Sequence, residues 1–111
     1  MKSFDFNSIS QPMLEIVLPD QEQTKIKLLI PKTSLVERMC NMSENLKEII
    51  SEKNEDMLNQ AYALLAEIMS CNQEQRIFTA DELKSLLNVE HIAAFSLAYI
   101  QFLGEIKNQK N

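Results

Sequence analysis

Two short segments near the start of the chain alternate strictly between apolar and polar positions. In "MLEIVLP", Leu14, Ile16 and Leu18 fall on one side and Met13, Glu15 and Val17 on the other. In "TKIKLLIP", Ile26, Leu28 and Ile30 share a side and Lys25 and Lys27 oppose it. A period of two with β-branched residues predicts two strands. The joining stretch "PDQEQ" is polar and free of glycine, and its length fits an antiparallel hairpin with four or five loop residues. Pro19 and Pro31 mark the strand ends. Residues 1–12, with Phe4 and Phe6 among Ser, Asn, Asp and Gln, read as an extended arm, and the hairpin spans 13–31.

From residue 33 the apolar positions recur at steps of three and four, the period of a helix with one buried face. Pro31 blocks a helix until Thr33 or Ser34, and Ser34 with Glu37 has the spacing of a capping box. Leu35, Val36, Met39, Met42, Leu46, Ile49 and Ile50 then form one face. The polar run "SEKN" breaks it, and Asn54 is placed to cap a second helix carrying Met57, Leu58, Ala61, Leu64, Leu65, Ile68 and Met69. "SCNQEQR" reads as a polar loop. Phe78 before Thr79 can staple onto Leu83, and Thr79 with Glu82 completes another capping box at the start of a short helix, 80–87. Asn88 then opens a last helix, 89–107. Its apolar residues, from Ile92 to Ile106, surround nearly the whole circumference, which predicts burial either centrally or by a partner. The short helix reads as a lid or elbow that reorients the chain, so that the long one can run back through the bundle. The fold expected is α+β: an N-terminal antiparallel β-hairpin and a mainly helical part of about four helices over 33–107, all in one domain of 111 residues.

Composition removes most chemistries. The net charge is −5, and Arg38 and Arg76 are the only arginines, a poor basis for gripping a phosphate backbone. The one histidine, His91, has no nucleophile in a supporting pattern and reads as a surface or half-buried side chain. Asp81 and Glu82 are explained by their place in a first helical turn. Cys40 and Cys71 lack metal-ligand spacing and read as separate, reduced thiols. Met39, Met42, Met57 and Met69 lie at core-phase spacing. The single glycine, Gly104, rules out a glycine-rich phosphate loop; inside the last helix it marks either fraying or a close approach by another backbone. No apolar run reaches the ~20 residues of a membrane span, and "MKSFDFNSIS" lacks the apolar core of a signal peptide. The chain is expected to be cytosolic, with no catalytic residue, no cofactor and no metal.

"FDFNSISQPMLEIVLPD" followed by a second strand, Pro and "TSLVERM" resembles the start of small proteins of tailed phages and prophages of Gram-positive bacteria. "FTADELKSLLNVEHIAAFSLAYIQFLGEI" is similar to their C-terminal signature: an aromatic, Thr, an acidic pair, Leu, a short spacer and a long apolar helix. These are the tail assembly chaperone-like proteins, encoded between the tail-tube and tape-measure genes, and the resemblance covers residues 4–106. It implies a non-enzymatic helper, cytoplasmic in the bacterial host. Such a helper coats the tape-measure protein and brings it together with tail-tube subunits. The family's members are often also made in a longer form by ribosomal frameshifting. Within the last helix, Phe95, Tyr99, Phe102 and Ile106 follow three- and four-residue spacing and are the expected partner-binding residues, with Ile92, Leu97, Ile100 and Leu103 around the rest of the helix. Aromatics are frequent anchors of such contacts. Self-association, most simply as a two-fold dimer, is expected from the all-round apolar helix and the hairpin's open edges. The alternative is a small phage or prophage regulatory protein, because helices 80–87 and 89–107 are arranged like a helix-turn-helix. The second of these lacks the basic and amide side chains that read bases.

Overall fold

A computed structural model describes residues 2–5, 12–52 and 55–108. Two strands come first, β1 (Leu14–Val17) and β2 (Lys25–Leu28). Five helices follow: α1 (Thr33–Glu44), α2 (Leu46–Glu52), α3 (Glu55–Met69), α4 (Ala80–Leu86) and α5 (Val89–Asn108). The fold is α+β, an N-terminal antiparallel hairpin followed by a mainly helical part. The strands pair Leu14 with Leu28, Glu15 with Lys27, Ile16 with Ile26 and Val17 with Lys25. Their alternation is the one the sequence carries: Ile26 and Leu28 are buried while Lys25, Lys27, Glu15 and Val17 face out. The register ends at Leu18, whose N–H donates to the Thr24 carbonyl at 2.8 Å.

Five residues, 19–23, close the hairpin without glycine. Gln23 takes the left-handed conformation, with φ of 51°. The Asp20 carboxylate holds the turn by accepting from the Thr24 hydroxyl at 2.7 Å and the Thr24 N–H at 2.9 Å. Those bonds, the hydroxyl's first, hold the Asp20 carboxyl below its ordinary value. A carboxyl lowered in the folded state stabilises the fold above the unfolded value, and this is lost as pH falls through the lowered one. As pH falls through and below the ordinary carboxylate range, Asp20→Asn is therefore expected to flatten the acid loss of thermal stability. Paired melting curves of the two proteins across that range check it; parallel curves would show that the turn is not charge-held.

The start of α1 differs from the capping box expected at Ser34 and Glu37. Its N-cap is Lys32, extended and without a side-chain cap, whose carbonyl accepts from Leu35 and Val36. Pro31 is buried and feeds the chain straight into Thr33, which leaves Ser34 already inside the first turn. The apolar face expected to be one helix through Ile50 is divided at Asn45. There the side-chain amide donates to the Asn41 carbonyl at 3.1 Å, and the Asn45 carbonyl accepts the Ile49 N–H of the next helix. The expected cap at Asn54 lies outside the described residues.

A single hydrophobic cluster joins these elements. Leu18, Ile26 and Leu28 come from the hairpin, Met39 from α1 and Leu46 from α2. Leu65 and Ile68 come from α3, Leu83 from α4, and Ile92 and Tyr99 from α5. Leu28, Met39, Leu65, Ile68 and Leu83 are wholly buried, each contributing about 1.5–3 kcal/mol relative to exposure.

The stretch 70–78, polar in sequence, is built into this core. Asn72 is 5% exposed; its amide donates to the carbonyls of Met69 and Arg76, each at 2.7 Å, and its oxygen accepts the Arg76 N–H at 2.9 Å. The same segment covers the outer edge of β2. Leu29 N–H donates to the Cys71 carbonyl, Gln73 N–H to the Lys27 carbonyl, and Lys27 N–H to the Glu74 carboxylate. Among the described residues, the expectation of two open hairpin edges is thus corrected to one, that of β1. Ser70 completes the loop by accepting from Phe78 N–H at 2.9 Å and donating to the Ala66 carbonyl at 2.6 Å.

Candidate interaction surface

The α4–α5 elbow is held from both ends. Thr79 caps α4, its side chain accepting the Glu82 N–H at 3.1 Å. The reverse half of the expected box is not made by Glu82. Its carboxylate instead pairs with Arg76 at 2.9 Å, and that guanidinium lies 4.6 Å over the Phe78 ring. At the far end Leu87 is extended, and its carbonyl accepts the Tyr62 hydroxyl of α3 at 2.7 Å. The reciprocal capping box falls one helix later. Asn88 Oδ1 accepts the His91 N–H at 2.9 Å, while the Asn88 N–H donates to His91 Nδ1 at 3.0 Å. His91 stands in the place of the usual Glu, because an unprotonated ring nitrogen accepts as a carboxylate does. The two helices meet at a bend of 110°. This is why the chain stops one helix and restarts another within a few residues: two caps and one tyrosine fix the angle at which α5 leaves.

The helix that leaves is not buried all round. Ile92, Ser96 and Tyr99 are fully covered, and the Ser96 hydroxyl donates to its own helix at the Ile92 carbonyl. Ala94 and Ala98 are exposed, and Leu97 is 62% exposed. The expectation of a central helix fails because, among the described residues, α5 is covered on one face only. Leu103, three turns beyond Ile92 on the same face, is only half-buried, so the last turns have less protein beneath them.

The four residues expected to bind a partner separate accordingly. Phe95, Phe102 and Ile106 are half-buried along one flank of α5. Tyr99 is 1% exposed and belongs to the core, packed between Phe95 at 5.5 Å and Phe102 at 6.1 Å, ring centre to ring centre. Its hydroxyl has no hydrogen-bond partner among the described residues. Burial, with the Cys71 thiol nearby as a lesser cause, pushes its ionisation well above the ordinary phenol value. Leu97, grouped in the sequence with the rest of the helix, is its most exposed large apolar side chain.

At its N-terminal end this flank reaches the hairpin. A cavity of about 160 Å³ lies between β1 and α5, bounded by Ile16, Val17, Leu18, Pro19, Leu87 and Phe95 among others. Cys40 is exposed, Cys71 half-buried, and both thiols are free. Among the described residues, no group of three or more His, Cys, Asp or Glu side chains could hold a metal ion, and no single helix is long and apolar enough to cross a membrane.

Gly104 sits on the exposed side of α5, and the helix continues past it to Asn108, so it neither frays there nor meets a close backbone. A Cβ at this position would meet no atom within 4 Å beyond its chain neighbours and its own helix backbone, and the residue does not use positive φ. Gly104→Ala is expected to stabilise the chain by about 0.5–1 kcal/mol. Denaturant unfolding measures this, and a loss of stability would show that the position is crowded.

No protein-family model matches the chain, and neither a curated protein nor a solved structure is significantly similar to it.

Proposed function

We propose that this chain is a non-enzymatic tail assembly chaperone of a tailed phage or prophage of Gram-positive bacteria. In this reading it works in the host cytoplasm, binding the tape-measure protein and bringing it to tail-tube subunits. The observation that carries the reading is the partly covered apolar flank of α5, with Phe95, Phe102 and Ile106 in line and Leu103 beside them. An amphipathic helix laid along this flank would meet its residues at the three- and four-residue spacing of helix-in-groove contacts. The elbow supports it by fixing the direction of α5 through Thr79, Tyr62 and the Asn88–His91 box. The sequence resemblance supplies the identity of the partner.

The alternative is a small phage or prophage regulatory protein acting by protein–protein or DNA contact; its DNA-contacting form draws on the 110° bend, which lies within the range of a helix-turn-helix. The residues of α5 do not favour it. Val89–Ile106 contains no Lys or Arg, and its exposed positions include Glu90 and Glu105. Such a surface repels phosphate and offers little to base edges.

The test is co-expression with a helix-forming fragment of the tape-measure protein encoded downstream. Phe102→Ala and Ile106→Ala are expected to leave the fold intact by thermal melting and to weaken capture of the fragment. Truncating an anchor costs ~2 kcal/mol, or roughly 30-fold in affinity. Tyr99→Ala is unsuitable, because its loss would open the core. If both variants stay folded and keep the fragment as soluble as wild type does, the α5 flank is not the binding surface.

A further inference from the structure

Among the described residues, the hairpin has one consumed edge and one open edge. In an antiparallel pair, successive residues turn their N–H and C=O groups alternately toward and away from the neighbouring strand. The Leu18–Thr24 bond sets the phase: Leu14, Ile16 and Leu18 address β2, so Glu15 and Val17 direct their backbone groups outward. The same phase holds on β2, where the outward groups of Lys27 are taken by Gln73 and Glu74. No described residue takes those of Glu15 and Val17. The open edge also carries apolar surface. Val17 is 55% exposed, and Leu14 and Ile16, on the core side, are only half-buried. Ile16, Val17 and Leu18 also line the cavity between β1 and α5.

We infer that β1 pairs antiparallel with β1 of a second copy of this chain, about a two-fold axis at Ile16, so that the two hairpins form one four-stranded sheet. The register follows from the side chains. An axis at Glu15 would set two carboxylates directly opposite each other, which destabilises a sheet. An axis at Val17 would bring Glu15 against Pro19, which has no N–H to give. With the axis at Ile16, Glu15 of each copy faces Val17 of the other, and each pair exchanges two backbone bonds. Each carboxylate keeps the lysines of its own hairpin, Lys27 opposite and Lys25 at 4.0 Å. This register also sets the second copy's Leu14 opposite Leu18, on the core side and beside the cavity. Leu14 there covers apolar surface that one copy leaves half-open, and the symmetry does so twice. Pairing over two four-residue strands buries less than the ~1,200 Å² of a stable standard interface, so association is weak and appears as concentration is raised.

Sedimentation equilibrium of the full chain from micromolar to millimolar concentration is the first measurement, and the expected result is a rise in mean mass toward twice 12.8 kDa. Val17→Pro removes an N–H that the β1–β2 ladder does not use. It is expected to keep the melting transition and weaken the dimer at least tenfold. Register is read independently by oxidation in a background with Cys40→Ser and Cys71→Ser. Across the axis the two Ile16 Cα atoms are about 4.5 Å apart, within disulfide reach, while the two Glu15 Cα atoms are about 8 Å apart and beyond it. Ile16→Cys is therefore expected to cross-link and Glu15→Cys not to. A monomer at every concentration overturns the inference. So does a dimer in which Ile16→Cys fails to cross-link, or in which Glu15→Cys cross-links as well, even if Val17→Pro does not fold.

Discussion

Leu83→Ala is expected to lower the unfolding free energy by about 3 kcal/mol, within the 2–5 kcal/mol that buried leucine truncations cost. Leu83 is wholly buried and is the only fully buried side chain of α4. Deleting it removes transfer energy and leaves a cavity between the elbow and the core. A domain of this size is stable by only about 5–15 kcal/mol, so the loss is large, equivalent to more than 10 °C in melting temperature. The effect should be unevenly distributed. Tyr62 anchors the end of α4 at the Leu87 carbonyl, so part of the elbow stays tied to α3 while its apolar anchor is gone. Urea unfolding of Leu83→Ala beside Leu86→Ala, a half-buried position on the same helix, checks both size and cause. Equal losses at the two positions would mean that α4 is not held through Leu83.

Asn72→Ala is expected to cost a similar amount, by a different route. Its side chain makes three hydrogen bonds at a position 5% exposed, and truncation leaves the Met69 and Arg76 carbonyls and the Arg76 N–H without those partners. Each net bond contributes about 1 kcal/mol, and an unsatisfied buried group costs about 1–3 kcal/mol, so a loss of about 3 kcal/mol is expected. Asn72→Asp is the informative companion. It keeps the acceptor for Arg76 N–H but loses both donations and places a carboxylate against two carbonyl oxygens. It should be at least as damaging as Ala at neutral pH. Amide exchange locates the effect: Leu29 and Gln73 N–H bond to and from this segment, so their protection should fall in both variants before that of α3 does. Unchanged protection at Leu29 would show that the loop keeps its path without Asn72.

These two positions differ sharply in how visible they are from sequence. Leu83 announces itself: it follows a Thr-x-x-Glu start and stands at the position where a residue before the cap would staple. Asn72 looks like one more polar residue in "SCNQEQR". Its role depends on Met69 and Arg76 carbonyls being brought together by the end of α3 and the return of the chain, a geometry that no local pattern encodes. His91 lies between the two cases. Asn-x-x-His has the spacing of a capping box, and recognising the imidazole as an acceptor would have found it.

The alternation of 13–18 and 25–30, the three- and four-residue steps of the helices, and the proline and cap positions determined by themselves that this chain is a hairpin followed by helices. They also determined which side of each element is apolar. Period and capping are local properties, set by side-chain direction and by the unsatisfied backbone groups of each helix start. Which apolar side obtains a neighbour was decided only by the tertiary structure. Asn45 divides one amphipathic stretch into two helices, and the segment 71–74 closes the β2 edge while, among the described residues, that of β1 stays open. Tyr99 turns into the core while Phe95, Phe102 and Ile106 stay at its margin. An apolar helix carries the same sequence signal whether one face or all of them are covered, because burial depends on what the rest of the chain can reach. With five helices and one small hairpin to arrange, this chain covers a single face of α5.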